Sequence, residues 1–104
     1  MEIANDIKWS GDSYSRLVER AIEREAWGNY NGNSNLGKRL IQEVNDKINE
    51  ISKNLNLYAE RDNDERLVPL PGSGYALIYK KEYYNNINGS KLTRLLLIDV
   101  RKSY

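Results

Sequence analysis

A chain of 104 residues, 39% hydrophobic and 30% charged, has the size of one domain with one core, so residues 1–104 are read as a single domain. It contains no cysteine and no histidine, which excludes disulfides, thiolate nucleophiles, imidazole bases and ordinary zinc sites. The net charge of +1 conceals an asymmetry: residues 1–75 carry 10 Lys/Arg against 13 Asp/Glu, whereas residues 76–104 carry Lys80, Lys81, Lys91, Arg94, Arg101 and Lys102 against Glu82 and Asp99. A basic C-terminal third suits phosphates or an acidic partner, although the solvated edges of a hairpin are the plainer explanation. No apolar run approaches the roughly 18 residues that span a bilayer, and MEIANDIKWS has neither the basic start nor the apolar core of a signal peptide. A cytoplasmic protein without membrane contact is expected.

In chain order, Ile3, Ile7 and Trp9 stand at odd spacing among polar neighbours and predict a short strand before Ser10-Gly11-Asp12. From Ser13, Tyr14, Leu17, Val18, Ala21, Ile22 and Ala26 fall on one helical face. Asp12 is the expected N-cap, and Arg16, Glu19, Arg20, Glu23 and Arg24 form the expected solvated face. The run from Gly28 to Asn35 has no apolar period and reads as the loop that ends this helix. A second helix is predicted from about Ser34 to Leu55, with Leu40, Ile41, Val44, Ile48, Ile51 and Leu55 as its stripe. Each helix has one apolar face, so the hairpin they form needs a partner layer.

The C-terminal half supplies that layer. After the polar linker Glu60 to Glu65, Arg66–Leu70 reads as an edge strand, because Pro69 cannot donate a ladder hydrogen bond. Tyr75–Lys80 is a β-rich strand, Asn88-Gly89 suits a turn with positive φ, and residues 92–100, with Leu95-Leu96-Leu97-Ile98, predict a central strand. Gly72-Ser73-Gly74 precedes a strand, whereas a phosphate cradle opens a helix; it is a turn. Trp9 and Trp27 read as core or rim packing, and Asp99 as one half of an ion pair with Arg101, two residues along on the same face. The fold class is α+β: a two-helix hairpin on one face of a small antiparallel sheet, mixed by its N-terminal strand.

The order and length of these elements, the phrase SGYALIY after a short strand, and the closing LLLIDVRKSY resemble the RelE/ParE superfamily of bacterial toxins from type II toxin–antitoxin modules. The resemblance implies a cytoplasmic toxin held by a cognate antitoxin. The leading expectation is the RelE one, an endoribonuclease that cleaves mRNA on the ribosome and inhibits translation; the alternative, on the ParE side, is a DNA gyrase inhibitor. A non-catalytic binding module that kept the fold is the third expectation. Neither a cofactor nor a metal is implied. Cleavage through a 2′-hydroxyl needs a base, an acid and cations around the phosphate. The expected catalytic residues are Arg66, Lys80, Arg101 and Tyr104, and the expected nucleic-acid contacts are Lys81, Lys91, Arg94 and Lys102. The family's cleavage arginine corresponds to Ala76, and its lysines on the preceding strand fall near Leu67 and Pro69.

Overall fold

The computed structural model describes residues 1–102. Its elements are β1 (Asp6–Trp9), α1 (Ser13–Tyr30), α2 (Leu36–Ser52), a 3-10 turn (Asp62–Asp64), β2 (Arg66–Leu70), β3 (Tyr75–Asn85) and β4 (Lys91–Lys102). The strands form one sheet in the order β1-β4-β3-β2. β2, β3 and β4 are antiparallel neighbours, and β1 joins β4 in parallel. The fold is therefore α+β, two helices packed on a four-stranded mixed sheet. Among the described residues no helix is long and apolar enough to cross a membrane.

Alternation along the strands decides which face the helices cover. Val68, Leu70, Tyr75, Leu77, Tyr79, Leu95, Leu97 and Val100 meet Leu17 of α1 and Leu40, Val44 and Ile51 of α2 in one core. Tyr79 is buried among them and donates its hydroxyl to the Leu55 carbonyl at 2.9 Å, which satisfies a polar group that would otherwise cost free energy in an apolar setting. Burial pushes the Tyr79 phenol above its ordinary value. The two helices approach closely at Gly37, where an added Cβ would lie 2.2 Å from the Ala21 carbonyl oxygen. β2 lies at the edge of the sheet, where its proline is tolerated.

Several expectations about α1 are corrected. The helix continues through Gly28 to Tyr30. That glycine does not break it but admits the following turn, since a Cβ there would lie 2.2 Å from the Asn33 carbonyl oxygen. Asp12 makes no side-chain cap; its carboxylate pairs with Arg16 instead. The buried face is Ser13, Leu17, Ala21 and Gly28, while Tyr14, Val18, Ile22 and Trp27 are exposed. α1 packs against β4, which turns Arg16, Arg20 and Arg24 inward from solvent. The charged face is thus only partly solvated. β3 reaches Asn85, past the predicted end at Lys80, because cross-strand pairing with Lys91–Leu96 continues the ladder there. A bulge between Ile78 and Tyr79 leaves Ile98 without a partner in β3.

Candidate functional site

The face of the sheet turned away from the helices is assembled in cross-strand rows. Pro69, Ala76 and Arg101 form one row, and Leu67, Ile78 and Asp99 the next. Lys80, Leu96 and Lys8 form a third, and Glu82, Arg94 and Asp6 a fourth. Ala76 and Ile78 are buried beneath this surface, and the apolar area it offers is that of exposed Pro69 and half-buried Leu67 and Leu96. Cations at Arg101, Lys80 and Lys8 stand around it. Among the described residues none of these three cations is held by a hydrogen bond or an ion pair.

The carboxylates of this face are all occupied. Arg94 donates Nε to Asp6 Oδ2 at 2.8 Å and Nη1 to Glu82 Oε1 at 2.6 Å, and its guanidinium lies 4.2 Å from the Tyr84 ring centre. The hydrogen bond from Arg94 holds Asp6 below its ordinary value, and Asp6 in turn raises Arg94. Asp99 accepts from Arg16 Nε at 2.9 Å. Asp6, lowered by Arg94, is a weak base.

The residues expected to act together are divided between the two faces. Lys80, Arg94 and Arg101 stand on the open face. Arg66 does not: it alternates with Leu67 onto the helix side, is 8% exposed, and donates Nη1 to the Tyr58 carbonyl. Its register with Tyr79 fixes that orientation. Lys81 is also on the helix side, bonded to Glu2 at 2.9 Å and to Asn56 at 2.8 Å; Glu2 raises its pKa. Lys91 lies over the Tyr83 ring, 4.4 Å from its centre, in the part of the β3–β4 hairpin that runs beyond β1 and β2. Lys102 lies beside Trp27 and Tyr75. Tyr104 falls outside the described residues. Asp99 pairs with Arg16, not Arg101, as α1 packs against β4.

Lys8 is the site cation that the sequence did not indicate. Its position follows from the parallel register Lys8↔Leu96, and nothing in MEIANDIKWS encodes the strand against which it pairs. Among the described residues no three His, Cys, Asp or Glu side chains stand together as a metal site. No protein-family model, curated protein or solved structure matches the chain.

Proposed function

We propose that this protein is the toxin of a type II toxin–antitoxin pair, RelE/ParE-like in plan, and that it acts by occupying its target through the open sheet face. The reading is supported by the strand–helix–helix–three-strand order, with SGYALIY leading into the central strand β3. The observation that carries the binding mode is the row chemistry. Leu67, Pro69 and Ala76 occupy the positions where the RelE resemblance places cleavage cations, and Arg66 faces the helices. A gyrase-type protein target fits the apolar surface of Leu67, Pro69 and Leu96 flanked by Lys8, Lys80 and Arg101 better than a scissile phosphate does, because the nearby carboxylates are committed to arginines.

One observation favours the nuclease as a second reading: Lys80 and Arg101 lie on the same face without an ion pair among the described residues and would stabilise a crowded phosphate. Purified protein separates the two. Inhibition of gyrase supercoiling with mRNA left whole on translating ribosomes supports target binding; codon-position cleavage with gyrase unaffected supports the nuclease. Arg101→Glu and Leu96→Lys should each abolish growth arrest on induced expression while the thermal unfolding midpoint stays close to wild type. Arrest that persists in both variants would place the function elsewhere.

A further inference from the structure

A polar cavity lies on the helix side of the sheet, between the segment that leads into β2 and the strand β3. Its volume is about 360 Å³, and Glu60, Asp64, Arg66, Lys81 and Tyr83 line it. Strand geometry brings them together. Lys81 and Tyr83 follow Tyr79 at two-residue steps on one face of β3, and Arg66 stands opposite Tyr79 in the β2–β3 register. A bridge between Glu60 and Arg66 folds the incoming chain back along β2. Within that fold-back Asn63 and Asp64 both take positive φ, 61° and 63°, in a turn that leaves Asp64 exposed at the cavity.

The charges that line this cavity are unmatched. Arg66 is 8% exposed, and its one acceptor among the described residues is the neutral Tyr58 carbonyl. No carboxylate pairs with it there. A guanidinium buried to this degree without a counter-ion carries a desolvation penalty that an entering anion offsets. Lys81 is in a different state, already neutralised by Glu2 at 2.9 Å. Glu60 and Asp64 are exposed and make no ion pair among the described residues. The lining thus holds one cation without an anion and two anions without a cation, and the half-exposed Tyr83 ring adds an apolar wall.

We infer that this cavity binds a free dibasic amino acid, its α-carboxylate on Arg66 and its two cationic groups on Glu60 and Asp64. The part of the guanidinium fork that Tyr58 leaves open matches a carboxylate, and the two rim carboxylates call for two cations. Phosphate or a dicarboxylate would satisfy Arg66 but stand against Glu60 and Asp64. A polyamine would satisfy the carboxylates and leave Arg66 uncompensated. The volume lies toward the lower end of small-molecule sites, which run from about 300 to 1,000 Å³, and suits one amino acid. The cavity is on the opposite side of the sheet from the target-binding face, and the inference stands whether or not the protein is a toxin.

L-lysine and L-arginine titrated into the full chain, followed by calorimetry and amide NMR, test it. Saturable binding with shifts confined to residues 58–66 and 79–84 is expected. Cadaverine, which is lysine without its carboxylate, and L-norleucine, which is lysine without its side-chain ammonium, should each bind at least about tenfold more weakly than lysine, since each forfeits a charge-assisted contact. Asp64→Asn retains a residue that tolerates positive φ and should lose affinity to a similar degree. Arg66→Gln should lose more; where that buried variant does not fold, Asp64→Asn and the cadaverine comparison decide. Absence of saturable binding by both amino acids, cadaverine or norleucine binding as well as lysine, undiminished affinity in Asp64→Asn, or shifts on the open sheet face instead would each overturn the inference.

Discussion

Arg16 and Asp99 are 83 residues apart in sequence and joined at 2.9 Å from Nε to Oδ1. The same guanidinium holds Asp12 and the Ile98 carbonyl, so one side chain ties the start of α1 to the bulge of β4. The hydrogen bond to Asp99 raises the Arg16 pKa. Arg16→Met keeps the apolar stem and strands the Asp99 carboxylate. Arg16→Met and Asp99→Asn should each lower the unfolding midpoint, and the double variant should lose less than the two losses added together. A thermal double-mutant cycle checks this; strict additivity would show that the two residues do not interact.

Gly37 sets the distance between the helices. With 2.2 Å between a built Cβ and the Ala21 carbonyl oxygen, Gly37→Ala must push α2 away from α1 despite the better helix propensity of alanine. Overpacking of this kind typically costs about 1–3 kcal/mol, which in a domain of this size lowers the midpoint by roughly 4–8 °C per kcal/mol. Calorimetry of the variant reads it directly, and an unchanged or raised midpoint would contradict the close crossing.

Tyr79→Phe removes the donor to the Leu55 carbonyl and leaves that oxygen in a buried setting. The expected loss is about 1–3 kcal/mol in denaturant titration, the cost of an unsatisfied buried acceptor. A loss near zero would mean that water reaches Leu55.

The Glu2–Lys81 pair, 2.9 Å apart, sets a pH dependence at both ends. Lys81's hydrogen bond lowers Glu2 from its ordinary 4.5, and Glu2's hydrogen bond raises Lys81 above 10.5. A lowered carboxyl contributes stability that is complete above its unfolded value and lost as pH falls through its folded one. A raised ammonium contributes stability that is complete below its unfolded value and lost as pH rises through its folded one. The stability difference between wild type and Glu2→Gln should therefore be flat from about pH 5.5 to 9.5 and shrink outside that window. Denaturant titrations across pH test it, and a difference that grows in acid would reverse the assignment.

The layer plan was legible because periodicity reports directly on which face is apolar: Leu40, Val44 and Ile51 are buried as their spacing requires, and the edge position of β2 follows from Pro69. The orientation of α1 was not legible. Tyr14, Val18 and Ile22 satisfy the helical period as well as Leu17 and Ala21 do, and only contact with β4 selects between the two overlapping faces. The candidate site suffered in the same way. Arg66 and Leu67 are adjacent in sequence but opposite in the sheet, so a one-residue difference in alignment moves a cation from one face to the other. Asp99 and Arg101 do share a face, and the pairing went to Arg16 because a partner 83 residues away is set by the packing of α1 beside β4, which no local spacing reports.

The central claim, a toxin that binds rather than cuts, is tested most directly by mapping mRNA 5′ ends in bacterial cells after induced expression of the chain. The account predicts growth arrest with no new 5′ ends within coding sequences. New 5′ ends at codon-specific positions in the arrested cells, or sustained growth with the folded protein abundant, would contradict it.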